Sequence, residues 1–165
     1  MTITVYISQD TTAVAVGAER VATAFVQAAL DAELSYTLVR NGSRGAFGLE
    51  PLVEIETAAQ GRLAFGPVSV DDVSSLVTAI TDGEYERHSN YLGPVSDIPW
   101  LSKQTRITFE RCGEGDPTDL AHYRALGGYH GLERALTLSP PSTASTSASN
   151  SGTSTRTVSP PVVTA

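Results

Sequence analysis

Short apolar runs separated by glycine and polar turns alternate along the chain with stretches of helical periodicity, the pattern of a small α/β domain. Residues 2–7 (TITVYI) are rich in β-branched and aromatic types and read as a strand. An alanine-rich stretch from Thr11 to Glu33 sets Val14, Val21, Phe25 and Ala28 on one helical face, with Gly17 inside it as a possible later start. Residues 35–40 return to strand character, so the first forty residues make a βαβ unit with parallel strands.

A glycine-rich loop, residues 41–51, precedes two further strands, 52–56 (LVEIE) and 62–66 (RLAFG), whose short connection ending in Gly61 predicts a hairpin. The next helix carries a start signal. Ser69 and Asp72 have capping-box spacing, Val68 can staple against Val73, and Val73, Leu76, Val77 and Ile80 form one apolar stripe before Gly83. Strand, helix, strand, hairpin and helix is the order of a thioredoxin-like α/β domain. Residues 84–115 read as irregular apart from a short extended piece at 106–111. Asp116 as N-cap, Pro117 at the first helical position and Asp119 then predict a helix ended by Gly127 and Gly128, with YHGLERAL starting another.

Beyond Leu138 the pattern stops. Of residues 139–165, 14 are Ser or Thr and four are Pro, with no acid among them. Such a segment lacks the apolar surface to offset its ordering entropy and is expected to be disordered.

Charge and composition narrow the chemistry. The net charge of −7 and the scattered arginines, with Lys103 the only lysine, disfavour nucleic acid and anionic membrane as partners. No basic leader or long apolar run is present, which points to the cytoplasm. Gly42, Gly45 and Gly48 precede a strand rather than a helix, so they read as a turn and not as a phosphate cradle. His88, His122 and His130 have unrelated spacings and are expected on exposed faces or loops, with no metal set among them. Cys112 is the only cysteine, which rules out a dithiol, and packing is its expected role. Trp100 reads either as an aromatic plug packing the irregular segment or as an anchor for a partner.

Three blocks, VRNGSRGAFGLEPLVEIE, GRLAFGPVSVDDV and LGPVSDIPWLSKQTRITFERCGEGDPTDLAHYRALGGYHGLERAL, closely resemble the front of one flavoprotein subunit. It is the β subunit of NAD-dependent, molybdenum-containing formate dehydrogenases, related to the flavin-bearing subunit of NADH:quinone oxidoreductases. The resemblance runs from residue 2 to about 138. It implies a thioredoxin-like, ferredoxin-type domain over residues 1–84, a linker and the start of the flavoprotein domain over 85–138, and the Ser/Thr/Pro tail over 139–165.

The ferredoxin-type domain of such subunits is similar to proteins that hold a [2Fe–2S] cluster with four cysteines. On that pattern Ser43 and Phe47 stand at two cysteine positions, and the stretch 8–20 has no cysteine, so no cluster is expected. Gly48 and Cys112 depart from the bulky aromatic and the aliphatic residue of the family. The segments that bind FMN, NAD and the [4Fe–4S] cluster in the intact subunit have no counterpart here, so no cofactor site and no catalytic residue is expected in this chain.

The resemblance therefore implies a truncated fragment limited to docking, with the molybdenum-containing α subunit and a ferredoxin-like γ subunit as partners. Arg40, Asn41, Ser43, Arg44, Trp100 and Arg106 are the expected interface. The competing reading has Arg40 and Arg44 capping the loop's own carbonyls and Glu50. Two other readings of the whole stay open: a stand-alone, non-catalytic interaction module, or a frameshifted product without function. The segment 106–138 is expected to be sticky and easily cleaved if nothing covers Leu120, Tyr123, Leu126, Leu132 and Leu136.

Overall fold

The computed structural model describes residues 3–139, which fall into two compact units divided between Leu126 and Gly127. In the first unit, β1 (Ile3–Ile7), β2 (Tyr36–Val39), β3 (Val53–Thr57), β4 (Gly61–Phe65) and β5 (Tyr91–Pro94) form one sheet in the order β2-β1-β3-β4-β5. β1 and β2 are parallel and all other pairs antiparallel. Helices α1 (Thr11–Ala15) and α2 (Ala18–Asp31) connect the parallel strands, and α3 (Val73–Asp82) follows the β3–β4 hairpin. This is the thioredoxin-like α/β arrangement that the element order predicts.

Period-two alternation decides the two faces of the sheet. Ile3, Val5, Ile7, Val53, Ile55, Leu63 and Phe65 point to one side, where they bury Val21 and Phe25 of α2 and Leu76, Val77 and Ile80 of α3. Phe25 meets Tyr36 edge-on at 5.4 Å between centroids, and burying one such side chain is worth about 1.5–3 kcal/mol. The opposite face has only a small apolar cluster, Leu52 and Ala64 under Val95, Ile98 and Leu101. Beside it on that face lie Tyr6, Glu54, Glu56 and Arg62, brought side by side by the pairings Tyr6 with Glu54 and Glu56 with Arg62.

Several local expectations are corrected. The Thr11–Glu33 stretch is two helices, broken at Gly17, with Asp10 capping the first through Thr12 N–H at 3.1 Å. Asp72 lies just before α3 and accepts from Ser69 N–H at 2.8 Å, while the Ser69 hydroxyl donates to the same oxygen instead of capping the helix. The segment 84–105 contains β5 and α4 (Pro99–Ser102), and residues 106–111 are turns rather than a strand. The helix after Pro117 begins later, as α5 (Leu120–Ala125), because Asp116 turns on Thr118 and Asp119 takes the cap through Ala121 and His122 N–H. The second unit holds α6 (His130–Leu136), with Leu132 and Leu136 exposed. The expectation of disorder for the tail beyond Ser139 lies outside the described residues.

Candidate docking surface and the charged face beneath it

Each of the six residues singled out in the sequence has a definite place. Arg40, just after β2, donates from Nε to the Ile7 carbonyl at 3.0 Å and pairs with Glu19 of α2, whose carboxyl it holds below the ordinary range. Asn41 is buried. Its Nδ2 donates to the Gly113 carbonyl at 2.9 Å, and its Oδ1 has no partner. Ser43 donates to Glu50 at 3.0 Å and accepts the Gly45 N–H at 3.1 Å. Burial raises the Glu50 carboxyl against the opposing bonds from Leu52 N–H and Ser43, with Glu54 and Asp10 pushing the same way as burial.

Arg44 is turned into the molecule. Its Nε and Nη2 grip the two oxygens of Glu54 at 2.6 and 3.0 Å, and its Nη1 reaches Glu114 at 2.7 Å. Burial lowers the guanidinium pKa, but the bonds and charges of Glu54 and Glu114 outweigh it and the net shift is upward. Neither Arg40 nor Arg44 engages Glu50, so the carboxylates that hold them are Glu19, Glu54 and Glu114. Arg106 donates to the Arg44 carbonyl at 3.3 Å and more loosely to that of Cys112.

Trp100 is no plug. Ile98 and Leu101 fill that place, and the indole is 59% exposed. It shares a groove of about 720 Å³ with Phe47, Ile107 and Phe109, which are 60%, 81% and 64% exposed. Asp10, Ser43 and Cys112 line the same groove, so the end of β1, the 41–50 loop and the 100–112 segment converge there. Such a cluster of exposed aromatic and aliphatic side chains is the feature most often found at protein contacts.

The charged face is assembled by strand register and a returning loop. Arg62 of β4 stacks its guanidinium 3.7 Å from the centroid of the Tyr6 ring, contacts Glu54 at 3.3 Å, and donates to Glu114 at 3.2 Å and to the Gly113 carbonyl at 3.2 Å. The Tyr6 hydroxyl donates to Glu56 at 2.5 Å, and burial and that carboxylate raise its pKa. The alternation of Glu54 and Glu56 in a strand was the available signal.

The histidines differ from expectation in one case. His88 is buried, with Nδ1 accepting the Asn90 N–H at 3.2 Å and Nε2 3.0 Å from Ser75 Oγ. Since Nδ1 accepts, Nε2 carries the proton and Ser75, which donates to the Asp72 carbonyl, is not activated as a nucleophile. Among the described residues no group of three or more His, Cys, Asp or Glu could hold a metal ion, and no helix is long and apolar enough to cross a membrane. The donor set at the expected cluster positions does not fit iron: the Ser43 hydroxyl is committed to Glu50, and Phe47 offers no ligand atom.

The chain matches no protein-family model and no curated protein. Three solved structures similar to it are forms of the thioredoxin-like [2Fe-2S] ferredoxin from Aquifex aeolicus. A serine-for-cysteine variant is 19% identical, with a TM-score of 0.47 over 55% of this chain and 98% of that one. Another structure gives 15%, 0.49, 59% and 96%, and the wild type 21%, 0.43, 57% and 91%. At these values none of the ferredoxins' residue roles transfers to this chain.

Proposed function

We propose that this chain is a non-catalytic docking element of a cytoplasmic formate dehydrogenase, corresponding to the front of its NADH- and FMN-binding β subunit. In that reading the electron path from formate to NAD runs through other parts of the assembly, and this domain packs beside it against the molybdenum-containing α subunit and the ferredoxin-like γ subunit. Nucleic acid and membrane are not partners.

The observation that carries the proposal is the exposed groove of Phe47, Trp100, Ile107 and Phe109. Leaving four large apolar side chains in water at one end of a well-filled domain costs solubility, and a partner surface offsets that cost. The order of the resembling sequence blocks supports this choice of partner. Affinity capture of the tagged chain, co-expressed with the α and γ subunits, tests it: molybdenum and the α subunit co-eluting support the reading, and a lone colourless monomer refutes it.

A second reading, a stand-alone interaction module, is favoured by one feature. The first compact unit reaches Leu126, well past the ferredoxin-type domain. The same capture separates the two, because a stand-alone module leaves the α and γ subunits behind.

A further inference from the structure

Between Lys103 and Leu126 no apolar side chain is buried; the only buried residues there are Gly113 and Gly115. Ile107, Phe109, Leu120 and Tyr123 all point away from the core. Twenty-four residues nevertheless belong to the same compact unit as the sheet, so something other than hydrophobic burial holds them there.

The holding contacts are polar and concentrate on a few atoms. The Glu114 carboxylate spans two cations, Oε1 on Arg44 at 2.7 Å and Oε2 on Arg62 at 3.2 Å. The neighbouring Gly113 carbonyl accepts from Asn41 and Arg62, and the Glu114 carbonyl from Arg62 at 3.2 Å. Outside this point the segment is tied by Gln9 to Asp116 at 3.0 Å and by Arg106 to the Arg44 carbonyl. Arg44 and Arg62 are themselves fixed from below by Glu54, so the two guanidiniums form a rigid seat whose upper side is closed by Glu114.

We infer that residues 103–119 are a strap latched onto the polar face of the sheet by Glu114, built to lift as a unit while the sheet stays folded. A packed apolar segment would come away only with the core. A segment held by charge-assisted bonds has a separate, local opening equilibrium, and opening leaves the helix-covered core of the domain untouched. Lifting exposes the Arg44–Arg62 seat and carries Ile107 and Phe109 away from the Phe47–Trp100 groove that they line. The latch stands on this geometry whether or not the docking partner is a formate dehydrogenase.

Hydrogen exchange of the full chain, followed by residue, tests the latch with three variants. Glu114→Gln and Glu114→Ala are expected to speed exchange of the 105–119 amides about tenfold or more, the effect of losing a bond between charged groups. Amides of β1, β3 and β4 keep their protection. Glu110→Gln, on the same segment but in no ion pair among the described residues, leaves the strap unchanged. Unaltered strap exchange in both Glu114 variants, an equal loss of protection in the sheet, or the same opening in Glu110→Gln would each overturn the proposal.

Discussion

Arg44 and Glu54 form a two-pronged ion pair inside the domain, with side chains only 5% and 1% exposed. Ten residues apart in sequence, they join the 41–50 loop to the middle strand of the sheet. The pair explains why an arginine in a glycine-rich loop is not a surface residue: a second cation, Arg62, and a second acid, Glu114, complete a network in which each buried charge has an opposite one.

Breaking the pair leaves one charge buried alone. Arg44→Ala and Glu54→Ala are each expected to cost about 3–5 kcal/mol in urea unfolding, whereas Arg44→Met with Glu54→Leu together costs much less. Equal losses in the single and double variants would show that packing volume, not charge, dominates the site.

Gly113 passes directly over that pair. Its φ is +87°, and an added Cβ would collide with Arg44 Cγ. Gly113→Ala should therefore lose about 1–3 kcal/mol in thermal unfolding, through both the left-handed backbone and the displaced guanidinium. Gly48→Ala has open space at the Cβ position and no left-handed backbone, and should be near neutral. A melting temperature for Gly113→Ala equal to that of Gly48→Ala would contradict this.

Stability has opposing acid dependences. Glu50 holds its proton more tightly when folded, chiefly through burial, so its favourable contribution is full below the ordinary carboxylate pKa and fades as pH rises through the raised value. Asp10, Asp72 and Asp116 are held low, mainly by bonds from Thr12, Ser69 and Thr118 side chains. Their contribution is present above the ordinary value and is lost as pH falls through the lowered one. Glu50→Gln should therefore gain stability relative to the parent as pH rises from about 4 to 7. A stability difference that is flat across that range would refute the assignment.

A sequence with Cys112 as its single cysteine, and a Ser43 hydroxyl committed to Glu50, make a further prediction. Anaerobic treatment of the full chain with ferrous iron and sulfide, followed by gel filtration, should leave no iron–sulfur absorbance on the protein. A stable visible spectrum that persists through the column would mean that other ligands have been overlooked.

The helix-covered core was legible because its signals are local and periodic: β-branched runs for β1 and β3, the Val73–Ile80 stripe for α3, Gly83 for its end. The polar face was not. Glu54, Arg62 and Glu114 are separated by up to 60 residues, and only strand register and a returning loop bring them together. Arg44 sits among the glycines of a loop, and a single sequence gives no means of telling an inward guanidinium from an outward one. Residues 106–111 differ from their sequence signal for a related reason: ITF has strand composition, but no neighbouring strand pairs with it. Propensity without a partner does not make a strand.

Docking through the Phe47–Trp100 groove, as proposed, is tested most directly by one binding experiment. The affinity of the full chain for the assembled α and γ subunits is compared with that of the Phe47→Ser, Trp100→Ala double variant by calorimetry. Both side chains are exposed, so each substitution should change stability by less than about 0.5 kcal/mol, while removing two aromatic anchors should weaken binding by about 30-fold or more. Binding by the parent that is lost in an equally stable variant is the predicted result. No binding by the parent, or undiminished binding by the variant, would contradict the account.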